Sequence, residues 1–159
     1  MYNNNLIHCI DVSKGEDPIV KTDLLHTRLF GKGEHNVYQF HDDELRGIEK
    51  SFNDSRIEKS ILNFHNVRQY KDAARLKIYR STGKFPKVTY NIGIQSLIEV
   101  LKEDTRFPIP KSDLIKSQGW KIFDFSEIER LRVNDIIKEI PDRMYDDIDD
   151  LTQTLKNYY

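Results

Sequence analysis

The chain has 159 residues, with 25 Lys and Arg against 26 Asp and Glu, 38% apolar and 11% aromatic residues, one Cys and one Trp. That length suits one domain, or one domain with an appendage, burying about 68–70% of the surface its unfolded chain exposes. Eighteen Ile, eight Phe and eight Tyr exclude a disordered chain, and no run approaches the ~20 apolar residues of a bilayer span.

Residues 1–5 lack the basic run and apolar segment of a secretory signal, so a soluble, cytosolic protein is expected. Leu6 to Ile10 predicts a short strand, closed by the turn formers Ser13-Lys14-Gly15-Glu16-Asp17-Pro18. Ile19 to Phe30 fits a helical stripe as well as it fits two strand fragments, and Gly31-Lys32-Gly33 ends it. Val37, Tyr38 and Phe40 read as a second strand. Asp42 and Asp43 then supply a cap and first-turn negative charge for a helix through Leu45, Ile48 and Phe52. From Ser55 to about Arg68, Ile57, Ile61, Phe64 and Val67 share one side, which predicts a second helix. At Ala74 the period becomes two: Ala74, Leu76 and Ile78 alternate with Arg75, Lys77 and Tyr79. Ser81-Thr82-Gly83-Lys84 turns the chain into Val88-Thr89-Tyr90, so a hairpin is expected, its second arm at an edge because of Pro86.

Asn91 can cap a helix in which Ile94, Leu97, Ile98 and Leu101 bury one face. Thr105 to Pro110 holds two prolines in three residues and marks a boundary between a body over residues 1–105 and a mostly helical subregion over 106–159, the two forming one compact unit. A short helix is expected over Lys111 to Ser117, stopped by Gly119, and a strand-like aromatic segment over Trp120, Ile122, Phe123 and Phe125. Ser126-Glu127-Ile128-Glu129 has the form of a capping box and predicts a helix that Pro141 closes. A last helix follows from Asp142 through Met144, Tyr145, Ile148, Leu151 and Leu155. The expected fold class is α+β: an antiparallel sheet around the central hairpin, covered by helices, with a mostly helical C-terminal portion.

Near-zero net charge hides segregation. From Asn66 to Tyr90 there are seven cations (Arg68, Lys71, Arg75, Lys77, Arg80, Lys84, Lys87) and one acid, Asp72. From Glu139 to Asp150 there are six acids (Glu139, Asp142, Asp146, Asp147, Asp149, Asp150) and one cation, Arg143. The acidic run reads either as a solvated helix face that complements the helix dipole or as a patch steering toward a basic partner. The basic hairpin, with Tyr79, Phe85 and Tyr90 among its cations, reads either as a nucleic-acid tracker or as an edge that Lys and Arg protect from aggregation.

Reactive constellations are sparse. His8, His26, His35, His41 and His65, with Cys9, Asp42, Asp43 and Glu44, are the candidate metal ligands, but they show no HExxH spacing and would converge only through the fold. Cys9 closes no internal disulfide and completes no Cys-based zinc site alone. Beside His8 it reads as a buried thiol more than a nucleophile. The Gly-Lys pairs lack the spacing of a phosphate loop. Asn53-Asp54-Ser55 is a glycosylation sequon without meaning in the cytosol, and the neighbouring aspartates of Asp146 to Asp150 do not face each other across a cleft. A helix-turn-helix over residues 97–117 has too long a connector, and its second helix offers only Lys111 and Lys116.

Eighteen Ile and fifteen Lys against two Ala suggest an AT-rich coding sequence. Taken whole, the chain resembles the small anti-CRISPR proteins of staphylococcal and related mobile elements that inhibit Cas9. The resemblance is one of general appearance over the full length, carried by no motif, so no residue roles transfer. It implies a non-enzymatic inhibitor, without cofactor or metal, that acts in the cytoplasm of a bacterial host. Such an inhibitor binds the Cas9–guide RNA complex and blocks DNA loading or HNH nuclease movement. The expected partner-binding residues are Asp142, Asp146, Asp147, Asp149 and Asp150 on one patch and Arg75, Lys77, Tyr79, Arg80, Lys84 and Lys87 on the other. The alternatives are a nucleic-acid-binding regulator using the basic hairpin and a metal-dependent nuclease or hydrolase using the histidines.

Overall fold

A computed structural model describes residues 7–19, 22–52 and 57–159. The chain divides between Pro86 and Lys87 into two units. The expected boundary at 105/106 lies inside the second of them.

The N-terminal unit is built on a parallel sheet of β1 (Cys9–Ile10), β2 (Leu24–Leu29) and β3 (Lys59–Phe64), in that order. Parallel neighbours cannot be joined by a tight turn, and the chain between β2 and β3 carries α1 (Asp42–Lys50). Alternation along β2 sends Leu25, Thr27 and Leu29 to a covered face, all buried, and Leu24, His26 and Arg28 to the other. Thr27 is tolerated inside because its hydroxyl donates to the Ile10 carbonyl at 2.8 Å. Ile10, Leu25 and Leu29 pack with Phe40, Leu45, Ile48 and Leu76 into one core. Each such side chain contributes about 1.5–3 kcal/mol on burial. The helix at Asp42 forms as expected, one residue earlier in its cap: the His41 amide donates to Glu44 at 2.9 Å.

Four expectations here are corrected. Residues 59–64 form β3 and not a helix, because Ser60, Leu62 and Phe64 alternate onto the covered face beside Leu25, Thr27 and Leu29, and a short apolar run satisfies both periods. Ser55 itself lies outside the described residues. The hairpin over 74–90 is instead α2 (Gln69–Thr82) followed by irregular chain. Ala73-Ala74-Arg75-Leu76-Lys77 is a run of strong helix formers, and Ser81-Thr82-Gly83 is its C-cap, with Gly83 at φ 72° and its amide on the Tyr79 carbonyl at 2.8 Å. Val37 to Phe40 is not a strand; it is held by side chains described below. The α+β class therefore stands, but the three-stranded sheet is parallel and no hairpin centres it.

The C-terminal unit has α3 (Gly93–Lys102), β4 (Ile109–Pro110), α4 (Lys111–Gln118), β5 (Ile122–Asp124), β6 (Arg130–Arg132), α5 (Val133–Ile137), β7 (Met144–Tyr145) and α6 (Ile148–Tyr158). β4 pairs antiparallel with β7 and β5 with β6. Leu97, Leu101, Leu114, Phe123, Val133, Ile137, Tyr145, Leu151 and Leu155 make its core. The helix expected from Ser126 to Pro141 forms only as α5, because residues 125–129 are the turn of the β5–β6 hairpin and 130–132 its second strand. The Ser126 hydroxyl does accept the Glu129 amide at 3.1 Å, but the Phe125 amide then bonds the Glu129 carbonyl at 2.9 Å and folds the chain back. The last helix starts at Ile148 and not Asp142, because Met144 and Tyr145 are taken by β4. Asp124 ties the unit's first residues to this hairpin: buried and paired with Arg130 at 3.1 Å, it accepts the Val88 and Thr89 amides at 2.8 and 2.9 Å.

Candidate partner-binding surfaces

Of the cations expected to face a partner, Arg75 points inward. It is 3% exposed, and its guanidinium donates to the Phe40 carbonyl at 2.7 Å and to Asp72 at 2.9 Å while pairing with Asp42. Asp72, fully buried, also accepts the Phe40 amide at 3.0 Å and the Asn66 side chain at 2.6 Å. Burial pushes the Asp72 carboxyl above its ordinary range, against the opposing pull of Arg75, the Phe40 amide and Asn66. This network fixes the Tyr38 to Phe40 segment in place of a sheet ladder. Tyr79 stacks on Phe85, centroids 4.2 Å apart, with Arg46 over both rings. Arg80 pairs with Glu49 at 3.2 Å, and Lys87 belongs to the C-terminal unit, on Glu127 at 2.8 Å. Lys77 and Lys84 are exposed.

The acidic run is likewise partly spent on local structure. Arg143 forks onto Asp150 at 2.6 and 2.8 Å, and this hydrogen bonding holds the Asp150 carboxyl below its usual range. Asp147 caps α6 by accepting the Asp150 amide at 2.8 Å. Asp142, Asp146 and Asp149 are exposed.

Two surfaces of the N-terminal unit are built more specifically than either patch. The first is a groove of about 430 Å³ between β3 and α2, floored by Leu62, Phe64, Ala73 and Leu76 and rimmed by Lys77, Arg80 and Ser81. Leu62 and Phe64 stay half-exposed while their β2 partners Thr27 and Leu29 are fully buried, so the groove lies on the outer side of β3. Among the described residues no strand pairs with that outer edge. Lys77 and Arg80 were legible as candidates; Leu62 and Phe64 were hidden by the helical reading, although their spacing of two was the signal.

The second is the sheet face opposite the core, whose described residues are half-exposed or exposed. Cys9, His26 and Ile61 form one row across it, Arg28 and Asn63 the next, and Phe30 and His65 follow beyond the strand ends. Asn63 meets His26 at 2.9 Å, Arg28 donates to His65 at 3.2 Å, and the Phe30 and His65 rings stack at 5.2 Å. The remaining histidines lie apart from these rows: His8 accepts the Ile19 amide at 3.2 Å, His35 sits in a turn, and His41 precedes α1. Among the described residues no three His, Cys, Asp or Glu side chains are placed to hold a metal ion, and no helix is long and apolar enough to cross a membrane. No family model, curated protein or solved structure matches the chain.

Proposed function

We propose that the chain is a non-enzymatic binding protein whose groove between β3 and α2 receives an extended acidic segment of a partner protein along the open edge of β3. The observation that carries this reading is the combination of an apolar floor, a cationic rim and a strand edge with which no described strand pairs, in one place. An added strand finds main-chain hydrogen bonds on the edge, while Leu62, Phe64 and Leu76 take its apolar side chains and Lys77 and Arg80 select for carboxylates. A second copy of the same chain would oppose like cations there, which favours a different partner.

The resemblance to Cas9-inhibiting anti-CRISPR proteins supplies the partner to try first, a Cas9–guide RNA complex in the bacterial cytoplasm. Retention of the purified chain on immobilised complex, and loss of DNA cleavage in trans, is the expected result. Lys77→Glu with Arg80→Glu, both on exposed side chains, should abolish retention and restore cleavage. If the doubly substituted chain is retained as well as the unsubstituted one, the groove is not the binding site. If Lys substitutions at Asp142, Asp146 and Asp149 release the partner instead, the acidic run takes its place.

A further inference from the structure

Independently of the groove, we infer that the face of the parallel sheet opposite the core is a platform for single-stranded nucleic acid. Parallel sheets are ordinarily covered on both faces, yet here Arg28, Lys59 and Ile61 are exposed and Cys9, His26, Phe30, Asn63 and His65 are half-exposed. The face offers three kinds of group that unstacked nucleotides need. Phe30 and His65 form a stacked ring pair on which a base can lie. Arg28 and Lys14, 5.2 and 5.5 Å from the Phe30 centroid, place two cations beside that pair for the phosphates. Asn63 one row away and His26 two rows away, 2.9 Å apart, provide a hydrogen-bonding edge.

Charge favours the same occupant. The residues that alternate onto this face from β2 and β3 include Arg28 and Lys59 and no carboxylate. Two acids do line the hollow of about 280 Å³ at the strand ends, beside Cys9, Lys14, Arg28 and Phe30. Both are engaged locally: Asp11 accepts the Ser13 and Phe30 amides at 3.0 and 3.1 Å and lies 3.9 Å from the Lys14 ammonium, and Glu16 accepts the Asp11 amide at 2.7 Å. The hollow opens at the carboxyl ends of the strands, where open α/β sheets place their ligands. His26 and Phe30 are four residues apart on extended chain, about 13 Å, so the platform spans about two or three unpaired bases. A duplex, whose base faces are already stacked, gains only the phosphate contacts.

The test is fluorescence anisotropy of the full chain with labelled single-stranded U and dT oligomers of about 12 nucleotides and a duplex of the same length, over a salt series starting near 50 mM. Single strands should bind at least tenfold more tightly than duplex, with affinity falling as salt rises. Phe30→Leu should weaken binding at least fivefold without altering the salt slope. Arg28→Gln, on an exposed side chain that does not threaten the fold, should weaken it at least threefold and lower the slope by about one. Lys116→Gln, in the other unit, should bind as the unsubstituted chain does. Absence of binding at the lowest salt, equal binding of duplex, or a Phe30→Leu chain that binds as tightly as its parent would each overturn the proposal, the last by reducing it to bare polyanion capture.

Discussion

Arg75 occupies the kind of position where hydropathy patterning expects an apolar residue, since the buried stripe of α2 runs through Asp72, Arg75 and Leu76. Two charged residues on the inward face broke the helical period and left the alternation of Ala74, Leu76 and Ile78 as the visible signal. Composition does not reveal that a cation and an acid three residues apart are buried together; only the carbonyl and amide of Phe40, brought in from a distant segment, make that burial tolerable. Arg75→Ala, which strands Asp72 and Asp42, should therefore cost the N-terminal unit about 3–5 kcal/mol. Urea unfolding followed by far-ultraviolet circular dichroism measures this, and a loss below ~1 kcal/mol would contradict the role given to the network. Asp150 behaves differently. Its carboxyl is depressed, so its contribution is present above the ordinary carboxylate range and is lost as pH falls through the folded value. Asp150→Asn should lower the C-terminal unit's stability at neutral pH, with the difference from the parent chain vanishing in acid, as read by Trp120 fluorescence. The raised carboxyl of Asp72 carries the opposite sign: its own contribution grows as pH falls below the elevated value.

At the scale of elements, what was legible in the sequence depended on whether local propensity and the buried pattern agreed. Residues 42–50, 93–102 and 111–118 are helical as expected because their buried apolar positions follow the helical period, although Ile92 and not Asn91 precedes the second, and neither it nor Pro110 before the third supplies a side-chain cap. β3 and α2 exchanged identities because each satisfied the wrong period over a short window, and the deciding contacts come from elsewhere: β2 for the strand, Asp42 and Phe40 for the helix. Ala74 separates the two assignments by experiment. Exposed and mid-helix, it should lose about 0.5 kcal/mol on Ala74→Val, since a β-branched side chain is a poorer helix former. In a hairpin arm the same change would stabilise. Gly83→Ala should cost about 1–2 kcal/mol because the helix C-cap requires φ of 72° there. Thermal unfolding of the two variants checks both figures, and a stabilised Ala74→Val chain would return residues 74–82 to the strand reading. The same exchange concealed the groove, whose floor needs Leu62 and Phe64 on a strand and Leu76 on a helix.

At the scale of the whole molecule, charge follows the division of the chain: 14 Lys and Arg stand against 12 Asp and Glu before Lys87, and 11 against 14 from Lys87 onward. The polarity noticed along the sequence is thus a difference between units more than between two surface patches, and much of each run is engaged locally. The division itself was not legible, because Phe85-Pro86-Lys87 carries no linker composition. A separately expressed chain of residues 87–159, with its own core and its Asp124 anchor, should unfold in a single cooperative transition by Trp120 fluorescence. A broad, non-cooperative melt would show that it depends on the first 86 residues. The N-terminal unit's strands, helices and buried ion network all lie before Lys87. A ribosome that has released that stretch from its exit tunnel has thus delivered every participant in that unit's ladder and interior. Vectorial folding can bring its late-pairing parallel strands together while the second half is still being translated, and so shorten the time in which an unpaired edge is open to neighbouring nascent chains.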